Sequence, residues 1–214
     1  MKGQGSTRGV DKTHVYSSMS ASEYNVQSES SKINEEERRS IYDEEFGYIN
    51  SIGYDYIEAY LNGDELIGTM KDKFEDHKTQ YLSAIKSLDN VTEKNRLQKN
   101  QEFFRFNDTR SIGYNWGINV SGKSDSQIVS EMKAKIGKTY QEKSFLSTSA
   151  VEGKNKMSFR PVKVKIQAPK GTKAYVTTNK DESEVLLGRG LKYKLMDAKM
   201  NNGKIELTYR IVKR

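Results

Sequence analysis

The chain has 214 residues, no cysteine, two histidines and a formal net charge of +7. These numbers exclude disulfides, thiol catalysis and cysteine-type zinc sites, and His14 and His77 lie too far apart in sequence to point to a histidine triad or a histidine metal site. Hydrophobic residues make up 34% and charged residues 30%, so part of the chain is expected to lie outside the packed core.

Residues 1–33 carry Gly3, Gly5, Gly9 and many serines without a sustained apolar period, which predicts a flexible arm. No apolar leader segment is visible there, and no run approaches the 18 apolar residues of a membrane span. Residues 34–99 follow a helical pattern. An acidic start favours a helix from Glu35 to Ile49, Gly53 breaks it, and Tyr54–Leu61 forms a second helix that stops at Asn62-Gly63. Leu66, Met70, Phe74, Tyr81, Ile85 and Leu88 then form one stripe of a long helix, a packing face and not a cofactor site.

From Asn100 onward the apolar pattern shortens to β-type runs. Phe103–Phe106 comes first, followed by an irregular stretch at 107–123 and a helix from Ser124 to Ile136 with a Gly137 stop. Strands are predicted at 144–149, 161–167, 172–178, 184–188, 192–198 and 205–212, with Pro169-Lys170-Gly171 and Asn201-Asn202-Gly203 among the turns. Helices first and strands afterwards predict an α+β fold. It would be a single monomeric domain, with a helical lobe at 34–99 packed on a β-sandwich core at 100–214 made of two mostly antiparallel sheets.

Charge is unevenly placed: residues 151–214 hold 16 lysines and arginines against 6 acids, and the rest hold 20 against 23. The lysines alternate with apolar residues, as in Val162-Lys163-Val164-Lys165-Ile166. That pattern favours the solvent face of half-buried strands over an anion-binding face, and both over a nucleic-acid surface.

Three segments carry chemistry. Glu182-Ser183-Glu184 runs into Val185-Leu186-Leu187. On an extended segment two carboxylates at i and i+2 point the same way, and close like charges repel unless a cationic partner needs both. The plain alternative is an acidic turn. Phe103-Phe104-Arg105-Phe106-Asn107-Asp108 embeds a guanidinium among aromatics, suited to phosphate or carboxylate unless it merely reaches solvent from an edge. Ser147-Thr148-Ser149 ends a third run and means little alone.

In that order, arginine, Ser-Thr-Ser and Glu-x-Glu resemble the bacterial mono-ADP-ribosyltransferases. These include the small clostridial Rho-modifying exoenzymes and the catalytic chains of binary actin-modifying toxins. The similarity runs over about 34–214, most strongly through 138–149, then 169–175 and 182–190, with Arg160-Pro161 also in place. The resemblance implies a secreted enzyme acting in the cytosol of a target cell, which takes NAD as substrate without a metal, releases nicotinamide and passes ADP-ribose to a protein. Glu184 would stabilise the charge developing on the ribose. Ser147 would hold Glu184, and Thr148 would support the strand end. Arg105, Asp108 and Arg160 would contact the dinucleotide, and Glu182 with Asp181 would face the acceptor. In that family a glutamate at 182 goes with arginine as acceptor and a glutamine with asparagine. The resemblance thus points to an arginine of a host protein such as actin or an intermediate-filament protein. NAD hydrolysis, an asparagine acceptor and an inactive binding module remain open alternatives. Three departures stand out: Asn62 occupies the place of an NAD-contacting arginine, Phe106 that of a glycine, and the loop at 177–181 has no aromatic residue.

Overall fold

A computed structural model describes residues 15–212. The first helix, α1 (Ala21–Glu29), opens on a closed capping box in which the Ser20 hydroxyl accepts from Glu23 N and the Glu23 carboxylate accepts from Ser20 N. Only Tyr24 and Ser28 of this helix are buried, one turn apart, which is too little apolar pattern to show in the sequence. The flexible arm expected over 1–33 therefore gives way to ordered chain from Val15 onward, and residues 1–14 lie outside the described residues.

The helical lobe follows as α2 (Glu35–Ile41), α3 (Gly53–Asn62), α4 (Gly68–Asp76) and α5 (Lys78–Lys94). α2 is shorter than expected because the chain folds back, and Tyr48 N and Ile49 N both donate to Ile41 O. A Cβ at Gly47 would meet the carbonyl oxygens of Ile41 and Asp43 at 2.5 Å, so only glycine fits that return. Gly53 does not break a helix but starts α3, and Gly63 closes it at φ 76°. The single long helix expected after Leu66 is interrupted at His77 (φ −119°), whose ring packs 4.6 Å from that of Phe46. Phe74, Tyr81, Ile85 and Leu88 are buried as the stripe requires, whereas Met70 is exposed.

Beyond the lobe come β1 (Gln101–Asn107), α6 (Arg110–Trp116), α7 (Asp125–Lys133), β2 (Thr139–Gln141), β3 (Leu146–Ser149), β4 (Val162–Ala168), β5 (Ala174–Val176), β6 (Glu184–Leu187), β7 (Lys192–Asn201) and β8 (Lys204–Val212). α6 occupies part of the stretch expected to be irregular, and β2 carries no period of its own in three residues. The strand order is β2-β7-β8-β4-β1-β3-β6-β5, antiparallel except for β4 against β8. β1 and β3 share one register pair, Phe104 with Ser149. The eight strands thus form two arms, of five and three strands, joined at a single point.

The short arm is covered on both faces. Val185, Leu187, Ala174 and Val176 join the core shared with the long arm, while Leu186, Tyr175 and Phe145 join the helical lobe. β5 and the Val185–Leu187 part of β6 therefore read as continuous apolar runs, whereas β4 alternates buried and half-buried residues. The half-buried lysines of β4 are engaged: Lys163 and Lys165 lie 3.6 Å and 3.4 Å from the carboxylate of Glu206, which is 2% exposed. No helix among the described residues is long and apolar enough to cross a membrane.

Candidate active site

Two adjoining cavities open where the arms part, and Arg105 lines both. The smaller, about 400 Å³, is also lined by Ser147, Thr148, Arg160, Glu182 and Glu184, with Tyr48 and Tyr54 from the lobe side. The larger, about 690 Å³, lies between Leu146 of β3 and Val164, Ile166 and Tyr209 of the long arm, with Glu58, Asp64 and Glu142 on its wall. Six of the eight residues singled out in the sequence therefore share one cavity.

Glu184 opens β6 and pairs in register with Ser149, while Ser147 faces Leu186. Ser147 and Glu184 are thus diagonal neighbours on one face of the strand pair. The Ser147 hydroxyl donates to Glu184 Oε1 at 2.6 Å, and the Thr177 hydroxyl donates to Oε2 at 3.1 Å. Burial pushes the Glu184 carboxyl above the ordinary carboxylate range. The bonds from Ser147 and Thr177 and the charge of Arg105 pull it down, and the neighbouring Glu182 adds to the rise. The result is a half-buried acid, fixed at both oxygens.

Glu182 reaches the same cavity by a different route from the one the sequence suggested. It does not lie on the strand. Residues 180–183 form a turn, and Ser183 adopts the left-handed region at φ 47°. That conformation, unusual for a residue other than glycine, turns the chain so that both acids border the cavity. Asn179 Nδ2 donates to Glu182 Oε2 at 3.0 Å.

Arg105 shares its strand face with Phe103 and Asn107 and so points between the arms. Its Nε donates to Asn107 Oδ1 at 3.0 Å and its Nη1 to the Ser147 carbonyl at 2.7 Å. Burial alone would lower its pKa, but Tyr54, Tyr48, Glu58 and Glu142 outweigh that and keep it charged. Arg160 lies two residues before β4 and borders the cavity, as does Thr148, whose hydroxyl is committed to Val185 O at 2.6 Å.

Two expected contacts are not brought to the cavity. Asp108 pairs with Arg110 at 3.0 Å, and this bond holds its carboxyl below the usual range. Asp181 is exposed in the turn and lines neither cavity. Sequence reasoning also missed Glu58 and Glu142. Glu58 accepts from the Tyr48 hydroxyl at 2.5 Å and from the Ser144 hydroxyl, and burial raises both acids. The signal was there for Glu58: Tyr54, Glu58 and Asn62 recur every four residues, placing an acid within one stripe of α3. Asn62 lines the larger cavity beside Lys143, whose Nζ donates to the Asn62 carbonyl at 2.9 Å.

The chain matches the family model described as ADP-ribosyltransferase exoenzyme over residues 20–214, and it belongs to that family. Its fold is shared with C3stau2 of S. aureus solved with NAD (21% identity, TM-score 0.72, 91% of this chain and 95% of that one). It is shared equally with the C3 exoenzyme of Clostridium limosum (20%, TM-score 0.72, 93% and 98%). Plx2a, an ADP-ribosyltransferase toxin from Paenibacillus larvae, is similar at 22% identity and TM-score 0.68, over 90% and 96% of the two chains. No curated protein sequence matches the chain. Among the described residues no group of three or more histidines or acids is placed to hold a metal ion.

Proposed function

We propose that the protein is an NAD-dependent mono-ADP-ribosyltransferase that modifies an arginine of a target protein. The observation that carries this is the pair of carboxylates on one cavity, Glu184 fixed by Ser147 at 2.6 Å and Glu182 on the turn before it. The two cavities fit a dinucleotide in outline: 690 Å³ and 400 Å³ are the size of small-ligand sites, and the guanidinium of Arg105 stands at their junction. A diphosphate joins the halves of NAD, so a charged fork at that junction meets the charge it suits. Arg160, and Lys143 beside Asn62, are further cations on the walls.

Glu184 would carry the cleavage step. Loss of nicotinamide with the electrons of its glycosidic bond leaves positive charge on the ribose, and an oriented carboxylate stabilises that charge. Ser147 and Thr177 orient it. Glu182 would serve the acceptor. A guanidinium has a pKa above 12 and attacks poorly, so it needs a carboxylate that orients it and accepts the proton released as the new carbon–nitrogen bond forms. Glu182 lines the cavity, and the bond described to its carboxylate is that from Asn179 to Oε2, so no described bond occupies Oε1. By the same family argument the enzyme would be secreted and act in the cytosol of a target cell.

Nicotinamide release and ADP-ribose transfer, measured with NAD with and without agmatine as arginine analogue, test this. ADP-ribosyl-agmatine is the expected product. Nicotinamide release with no adduct would support the hydrolytic alternative and overturn the arginine assignment. Labelled NAD in a host-cell lysate, followed by mapping of the modified residue, identifies the target.

A further inference from the structure

We propose that α1 is a positioning element for the acceptor side of this site: Tyr24 and Ser28 clamp the turn that carries Glu182, and so set how often ADP-ribose ends on an acceptor and not on water. The inference rests on the acceptor role assigned to Glu182 above.

The clamp is a chain of hydrogen bonds. The Tyr24 hydroxyl donates to Thr177 O at 2.7 Å and lies 3.0 Å from Asn179 O. The Ser28 hydroxyl donates to the same Thr177 carbonyl at 2.6 Å, and the Ser31 hydroxyl lies 3.0 Å from Val176 O. The two residues so gripped are those whose side chains touch the acids. Thr177 donates to Glu184 Oε2 and accepts from Asn179 N at 3.1 Å, and Asn179 donates to Glu182 Oε2. Tyr24, Ser28 and Thr177 are 1%, 7% and 0% exposed, so the grip operates out of water, where hydrogen bonds compete least with solvent.

The two acids depend on it unequally. Glu184 has a second anchor in Ser147 and a backbone paired to β3. Glu182 sits in the turn, where its carbonyl accepts from the Ser149 hydroxyl at 2.7 Å. The bond described to its carboxylate, however, comes from Asn179, inside the clamped segment, so the unequal dependence concerns the carboxylates. Loosening α1 therefore moves Glu182 more than Glu184, and transfer falls more than hydrolysis.

The test uses Tyr24→Phe, which keeps the buried ring, and Ser28→Ala, each assayed below its melting temperature for agmatine transfer and for nicotinamide release in water. The expected result is a transfer-to-hydrolysis ratio lowered about fivefold per variant, the factor for one net hydrogen bond. The KM for agmatine should rise while the KM for NAD stays unchanged. Ile205→Val, a core change on β8, should lower stability and leave the ratio alone. Parallel loss of both activities, an unchanged ratio in both variants, or an equal shift in Ile205→Val overturns the positioning role. If Tyr24→Phe does not fold, Ser28→Ala decides. A parent protein that hydrolyses NAD but never modifies agmatine overturns the arginine assignment, and the clamp's proposed role with it. A parent that transfers, with variants that keep its ratio, overturns the clamp alone.

Discussion

The start of β6 and the turn just before it place two glutamates on one cavity by opposite means. Glu184 belongs to a strand paired on both sides and covered on both faces, and two hydroxyls fix its oxygens. Glu182 belongs to a four-residue turn with a left-handed serine; its carbonyl accepts from the Ser149 hydroxyl at 2.7 Å, while its carboxylate is held by Asn179 and, through it, by α1. A group that meets the same bond in every turnover can be built into a sheet. One that must receive a bulky and variable partner suits a turn at the surface, where loops adapt without disturbing the core.

That contrast breaks most sharply at Glu184. Glu184→Gln should lower both nicotinamide release and transfer by about 10²–10³ or more, the scale of removing one aimed electrostatic group. The same change should stabilise the fold at neutral pH. A carboxyl whose native pKa is raised contributes its stability below the ordinary value, about 4.3, and loses it as pH rises through the native value. The melting temperature of Glu184→Gln should therefore exceed that of the parent near neutrality, with the gap closing on acidification. Equal melting curves at all pH values would show that the carboxylate is not desolvated. Activity of the parent should fall on the acid side with a midpoint above the ordinary carboxylate value.

Arg105→Ala should weaken NAD binding by about 1.5–3 kcal/mol, the range for a hydrogen bond to a charged group, measured by calorimetry. Unchanged affinity would remove Arg105 from the diphosphate. Glu182→Gln should keep nicotinamide release within about twofold while transfer to agmatine drops tenfold or more, since the isostere keeps shape and loses charge. If this variant modified agmatine at the parent rate, the division between strand and turn would collapse. Ser147→Ala is the mildest: one of two anchors goes, and nicotinamide release should drop about fivefold, the factor for one net hydrogen bond.

The elements legible in the sequence were those with a repeated period. The stripe from Phe74 to Leu88, the alternation of β4 and the buried runs of the short arm all stand where the pattern put them. α1 was not legible, because Tyr24 and Ser28 bury against carbonyls at 177 and 179, and such partners leave no trace in apolar spacing. The site was legible as a set of residues but not as a geometry. Arg105, Ser147 and Glu184 meet as expected, whereas the period-two argument for Glu182 failed because a turn precedes the strand. Asp108 was drawn away by Arg110, two residues on, a local pairing that spacing alone does not weigh against a distant ligand.

The single register pair between β1 and β3 also sets the mechanics of the cleft. Two arms of one sheet that share one rung diverge from it like the covers of a book from its spine; the larger cavity lies in the angle between them, and the smaller adjoins it on the side of residues 48–54. The gape then follows first from the course of the backbone at Phe104 and Ser149. Arg105 spans this spine by holding the Ser147 carbonyl across it. Sequence change in the surrounding loops can alter what the mouth accepts while the opening angle stays the same.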